Sequence, residues 1–222
     1  DDTIMEGVYA GEISLAGMTQ TEAQEAVQAY VDSLGSSVIT LNVVDGNTVT
    51  ATASELGMSW SNQNLVSEAV NLGKSGNVVA RYKAVKDLEH ENKVYDIQFS
   101  FDQEAIASLI ENDCAEYNVE AVDAHLTRVD GEFVIEEGQT GVVIDNSASE
   151  TAVYEDLTTQ WNGGDAAIDL VVTEEEPQGN AEDLALVKDV LGTYTTSYSS
   201  YGPDRSANVA NGCELINGTT VY

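Results

Sequence analysis

Along most of the chain, short apolar runs with strand-like alternation take turns with longer stretches whose apolar residues recur at helical spacing. This patterning predicts an α+β fold of mixed short strands and about four to six helices. The first helix is announced by Thr19-Gln20-Thr21-Glu22, in which the threonine caps the helix and the glutamate reaches back to it. Ala23, Ala26, Val27, Tyr30, Val31 and Leu34 then define one buried face, and Gly35 ends it. Val38–Val44 reads as a strand that turns at Asp45-Gly46-Asn47 into Thr48–Ala53. Two further helices are expected at about 62–72 and 78–88, separated by Gly73 and Gly76.

Val94–Phe101 is expected as one strand, followed by a helix that Asp102 caps and whose stripe is Ala105, Ile106, Leu109, Ile110 and Cys114. A hairpin runs from Ala124–Val129 through Asp130-Gly131 to Glu132–Glu136. Val142–Ile144, a helix from Ser149 to Trp161 and a strand Ala166–Thr173 complete the body. Glu174-Glu175-Glu176-Pro177-Gln178-Gly179-Asn180 joins charge, Pro and Gly, and is the expected boundary. A short helix near Glu182–Val190 follows it. A faint strand-helix-strand repeat links the two ends of the body: Gly11, Ile13, Ala23, Val27 and Val31 match Gly141, Val143, Val153, Leu157 and Trp161, and Ile39, Leu41 and Val43 match Ile168, Leu170 and Val172. A common unit of this kind also arises by chance, and Asp145 in the place of Leu15 weakens the match.

Charge narrows the partners. The 222 residues carry 39 Asp and Glu against eight Lys and Arg, a formal charge of −31. A nucleic-acid backbone demands a basic face, so nucleic acid is excluded as the default partner, and an anionic membrane surface is disfavoured for the same reason. With 42% hydrophobic residues the chain can still bury a core. No run approaches the ~18–20 apolar residues that span a bilayer. The opening Asp1-Asp2-Thr3 lacks an initiator methionine, so the expectation is a removed signal or anchor, or a piece cut from a longer chain. Cys114 and Cys213 make no disulfide framework. Buried free thiols are expected, one bridge being the alternative in an exported protein.

Catalytic constellations are thin. His90 and His125 lie apart, without metal-ligand spacing, and read as a solvated helix end and a half-exposed strand residue. Nucleophile elbow, phosphate loop, zinc-helix and EF-hand patterns are all missing, so no catalytic residue, cofactor or metal is expected. Among so many carboxylates, Glu136-Glu137 and Glu174-Glu175-Glu176 read as solvated faces. Aromatics offer another route to function. Tyr194, Tyr198 and Tyr201 stand among serines and threonines, either as one buried row of a strand or as ligand contacts. Trp60 and Trp161 read as core.

Several patterns together resemble exported VanW-like proteins, whose N-terminal part carries a peptidoglycan-binding domain. Gly7-Val8-Tyr9-Ala10-Gly11-Glu12-Ile13-Ser14 through Thr19, then Glu22-Ala23, is similar to that family's opening. Ser54-Glu55-Leu56-Gly57-Met58, Ala69 and Gly73-Lys74-Ser75-Gly76 resemble the start of the binding domain. Asp123-Ala124, Phe133-Val134-Ile135, and Gly138 with Gly141 and Asp145 resemble its closing hairpin and glycine pair. Leu191-Gly192-Thr193-Tyr194-Thr195-Thr196-Ser197-Tyr198, with Arg205, Asn208 and Ile216-Asn217-Gly218-Thr219, looks like the first strand, helix and turn of a VanW domain, which continues in that family beyond the length present here.

The resemblance implies two regions: 1–176, a peptidoglycan-binding α+β region with its core at about 46–145, and 177–222, a linker and the truncated start of a VanW-like domain. It implies peptidoglycan as ligand, an extracytoplasmic place in the cell wall or on the cell surface, and a membrane reached only through an anchor outside this chain. Tyr194, Tyr198, Arg205 and Asn208 are the ligand-binding candidates it leaves, with an ion-pair anchor as the alternative role for Arg205. The same domain also precedes L,D-transpeptidase domains. Those need a cysteine with a His-Gly signature nearby, and neither histidine here precedes a glycine. The expectation is a non-catalytic module, with a ligand-free spacer or the front part of a cell-wall enzyme as alternatives.

Overall fold

A computed structural model describes residues 2–188 and 203–216, with side chains from Asn208 onward in the second stretch. Its elements follow in chain order. The strands β1 (Val8–Ala10) and β2 (Ile13–Ser14) precede helix α1 (Gln20–Ser33), then β3 (Val38–Asn42), β4 (Thr48–Thr52) and β5 (Ser59–Trp60). Helices α2 (Leu65–Asn71) and α3 (Val78–His90) are followed by β6 (Lys93–Tyr95), β7 (Phe99–Ser100) and α4 (Gln103–Ser108), which runs on as a π-turn over Leu109–Cys114. Next come β8 (His125–Val129), β9 (Glu132–Glu136), β10 (Gly141–Ile144) and α5 (Asn146–Glu155), itself extended by a π-turn over Asp156–Gln160. Strands β11 (Ala166–Asp169) and β12 (Val172–Glu175) and helices α6 (Ala181–Leu184) and α7 (Pro203–Ile216) complete the α+β fold.

These elements divide between two compact units, both discontinuous in sequence. The first takes residues 1–117 and 144–171, the second 118–143 and 172–222. The expected boundary at 174–180 therefore lies inside the second unit.

In the first unit, β3 is the centre of a mixed sheet. It pairs antiparallel with β4 and parallel with β11, placing Leu41 opposite both Val49 and Ile168. A second sheet has the order β2-β1-β6, and β5 pairs with β7. Helix α1 forms where the Thr19 capping box predicts, with the Thr19 N–H and hydroxyl both donating to Glu22 at 2.9 Å. It buries Ala23, Val27 and Val31 completely or nearly so, and Leu15, Ile39, Leu41, Leu56, Ile106, Ile110, Val153 and Leu157 join them in the core. Each large aliphatic side chain withdrawn from water contributes roughly 1.5–3 kcal/mol before entropy is charged. Helix α5 and the turn that extends it to Trp161 bury Val153, Leu157 and Trp161, the positions matched to the buried face of α1. The first strands of the two matched stretches differ in setting, since β2 pairs with β1 and β10 with β12.

The second unit holds the β8–β9 hairpin, the β10–β12 pair and α6, and its described core is small: Ala124 and Leu184. Asp130 and Gly131 both have positive φ (51° and 87°), the conformation a two-residue hairpin loop requires. Gly141 answers to close approach instead. A Cβ there would stand 2.5 Å from the Ala121 amide nitrogen and 2.9 Å from the Val119 carbonyl, where the Val119–Val142 bridge draws two backbones together.

Three expectations need correction. Val94–Phe101 is two strands, because the backbone between them is drawn to a distant asparagine side chain (Asn62) instead of a neighbouring strand. Ala166–Thr173 is likewise divided: β11 joins β3, and β12 joins β10 in the other unit. Cys114 is buried, but Cys213 is exposed on α7, and both are free thiols.

Candidate ligand-binding cleft

A cleft of about 730 Å³ opens within the first unit. Three backbone segments build it, together with one side chain of α1. The first is the β1–β2 turn, which presents Glu12 and is tied to β6 by the Gly11 N–H donating to the Tyr95 carbonyl at 2.8 Å. The second is the β6–β7 connection, Asp96-Ile97-Gln98, and the third is the π-turn after α5 with Trp161 and Asn162 behind it. Tyr30 reaches the cleft from α1. It is 38% exposed, so it leaves the buried face that its helical spacing assigned to it.

Asn62 shapes the β6–β7 wall. Its Nδ2 donates to the Asp96 carbonyl at 2.7 Å, while its Oδ1 accepts the Gln98 N–H and the Trp60 indole N–H, both at 2.9 Å. One half-buried side chain thus holds both ends of a three-residue loop and the indole beside it. Residue 61 adds a backbone bond, donating to the Gln98 carbonyl at 2.9 Å. The opposite wall rests on the π-turn. The Trp161 N–H donates to the Asp156 carbonyl five residues back, and the hydroxyls of Thr158 and Thr159 donate to the carbonyls of Tyr154 and Glu155. Single π-turns of this kind re-aim the side chains that follow them and recur at functional sites.

Trp161 anchors this wall. Its ring meets Phe99 and Phe101 edge-on, at centroid distances of 4.9 and 5.5 Å, and its Nε1–H donates to the Gly164 carbonyl at 2.8 Å. The indole is core, as expected, and lines the cleft. The side chains left to meet a ligand are the carboxylates of Glu12 and Asp96, the amides of Gln98, Gln160 and Asn162, and the Tyr30 ring. None of the lining residues is His, Cys, Lys or Arg. Donors and acceptors at close range suit a ligand rich in amides, hydroxyls and amines.

The residues singled out from sequence lie elsewhere. Tyr194 and Tyr198 fall outside the described residues. Arg205 lies in α7, and Asn208, exposed, stands three positions further along the same helix. His125 is half-exposed as expected, its Nδ1 at 3.1 Å from the Asp123 carbonyl, and His90 is exposed in the last turn of α3. Burial and the neighbouring Asp113 push the Cys114 thiol up to about 11. Among the described residues no cluster of His, Cys, Asp and Glu is arranged to hold a metal ion, and no helix is long and apolar enough to cross a membrane. Asn62, Gln98 and Asn162 carried no binding motif in the sequence. Alternation runs unbroken from Tyr95 to Phe101, so nothing in the sequence hinted that the strand was interrupted.

Residues 49–163, just over half of the chain, match the family described as putative peptidoglycan binding domain, and the chain belongs to that family. The match begins in β4 and ends beyond the π-turn of α5, so it takes in both principal walls of the cleft. No curated protein and no solved structure matches the chain. Family membership supports a general role in cell-wall binding, with peptidoglycan as the partner it indicates and a cell-wall or extracytoplasmic location.

Proposed function

We propose that this chain is a non-catalytic cell-envelope module that seats a peptidoglycan segment in the cleft between the β6–β7 connection and the π-turn of α5, and holds it near a further C-terminal domain. One observation carries this reading: nine of the twelve residues lining the cleft lie within the segment that matches the peptidoglycan-binding family. Amides and carboxylates on the walls complement the amides, hydroxyls and amines of a glycan-linked stem peptide. The stretch 191–219 is read as the beginning of a VanW-like domain. Tyr194, Tyr198, Arg205 and Asn208 would then belong to that domain's surface and not to the cleft.

Retention on purified sacculi and affinity for defined muropeptides test the proposal. Wild-type chain is expected to be retained at moderate salt, and Gln98→Ala with Asn162→Ala is expected to lower muropeptide affinity by about tenfold, two hydrogen bonds of ordinary net strength. No retention of a folded wild-type chain would leave the spacer reading in its place. Retention lost in Arg205→Ala and Asn208→Ala but unchanged by the cleft substitutions would move the site to the second unit.

A further inference from the structure

Behind the π-turn of α5 the chain reads Trp161-Asn162-Gly163-Gly164. An asparagine followed by glycine is the pair best suited to attack on its own side chain, because no Cβ on the second residue hinders the approach of its backbone nitrogen to the side-chain amide carbon. Three such pairs occur, Asn162-Gly163, Asn211-Gly212 and Asn217-Gly218. The last lies outside the described residues. Asn211 and Gly212 lie well inside α7, where backbone N–H groups are committed to intrahelical bonds.

Asn162 is placed differently. It is exposed and lines the cleft. Among the described residues neither its side-chain amide nor the Gly163 N–H has a hydrogen-bond partner. The bonds that close this turn involve the residues on either side: the Trp161 N–H donates to the Asp156 carbonyl at 2.9 Å, and the indole N–H to the Gly164 carbonyl at 2.8 Å. The reactive pair between them is left free. Nor can the fold readily exchange Gly163 for a slower partner. Its φ is +108°, and a Cβ there would stand 3.0 Å from both methyl carbons of Leu34.

We propose that Asn162 is a site of self-modification by deamidation, through which the cleft exchanges an amide for a carboxylate as the protein ages. The Gly163 nitrogen gives its proton to solvent base and bonds to the Asn162 Cγ. The Cγ–Nδ2 bond breaks, and the side-chain nitrogen takes up a proton and leaves as ammonia. Water then opens the cyclic imide. Opening at Cγ leaves aspartate in an ordinary backbone, whereas opening at the main-chain carbonyl carbon leaves isoaspartate, with the chain routed through the side chain. Nothing is oxidised or reduced, and water is the co-reactant. Either product puts an acceptor where the cleft had an N–H donor, among lining residues that already include Glu12 and Asp96. The effect on a bound ligand rests on the peptidoglycan reading; the modification does not.

Ageing the whole folded chain at mildly alkaline pH tests this. Peptide mapping by mass spectrometry is expected to show the mass gain of an amide-to-acid exchange at position 162, several-fold faster than at 211 and faster as pH rises, with circular dichroism unchanged. An isoaspartate-specific methyltransferase should label the aged wild type at 162 and leave Asn162→Gln unlabelled there, since glutamine must close a larger and slower ring. Aged wild type is expected to bind a defined muropeptide several-fold more weakly than fresh, as loss of one donor predicts, with fresh and aged Asn162→Gln alike. An intact Asn162 in a folded chain whose unfolded form deamidates there, or a rate no greater than at Asn211, would overturn the proposal. Equal muropeptide affinity before and after complete modification would overturn its effect on the cleft. A fresh chain that binds no muropeptide would instead remove the peptidoglycan reading, and the mass gain at 162 would uphold the modification by itself.

Discussion

Ser149 shows how much structure one side chain carries without any motif. It is completely buried, and its hydroxyl both donates to the Val171 carbonyl at 3.1 Å and accepts the Val171 N–H at 2.9 Å, fastening α5 to the chain beyond β11. Ser149→Ala would strand the Val171 N–H, while the Val171 carbonyl keeps the Asp145 N–H at 2.9 Å, and an expected loss of about 1–3 kcal/mol should be read from urea unfolding. Trp161→Ala removes a packed ring and should cost about 3–5 kcal/mol by the same measurement. The cysteines divide by environment. With its thiol pushed up to about 11, Cys114 is protonated at neutral pH and buried, so a thiol reagent should label Cys213 rapidly and Cys114 only after denaturation. Two fast-reacting thiols in the folded chain would contradict that burial. Sequence pattern identified Trp60 and Trp161 as core because large aromatics seldom stay exposed. It missed Ser149 and Asn62, whose partners lie 22 and up to 36 residues away.

Elements were legible where their signals are local. The Thr19 capping box and the Asp130-Gly131 loop involve residues within four positions of each other, and both form as the sequence indicates. The Glu22 carboxyl is held below the ordinary carboxylate range by the Thr19 N–H and hydroxyl. Its contribution to α1 is therefore complete above the unfolded value of ~4.3 and is lost as pH falls through the lower folded value. An NMR titration should show the Glu22 pKa rising in Thr19→Ala, but only in part, because the residue-19 N–H that lowers it most remains in the variant. The strands that broke, 94–101 and 166–173, were illegible for a different reason. Alternation reports which face of a strand is buried, but not which strand it pairs with, or whether a side chain from elsewhere interrupts the pairing.

For the molecule as a whole, 39 acids meet one described ion pair, so opposite charges do little to hold it together. Self-repulsion at −31 should depress the folded state at low ionic strength, and the melting temperature is expected to rise as sodium chloride increases from millimolar to about 0.2 M. A melting temperature indifferent to salt would mean that the acids are too dispersed to strain the fold. Net charge was plain from composition, whereas the scarcity of ion pairs among the described residues emerged only from the structure.

The parallel pairing of β3 with β11 has a consequence for how the molecule is made. Ile39 lies beside Ala166, and the segment between them includes the whole β8–β9 hairpin, which belongs to the other unit. As the chain leaves the ribosome, β3 and β4 can pair at once, but one flank of β3 must wait until more than a hundred further residues have emerged. A contact so distant in sequence delays folding. The matched segment 49–163, expressed alone, would lack both β3 and β11 and leave β4 without its neighbour. The inherited segment and the unit that folds therefore have different borders, and the growing chain must keep an unfinished sheet soluble in the meantime. A surface dense in carboxylates serves that interval as well as the finished molecule.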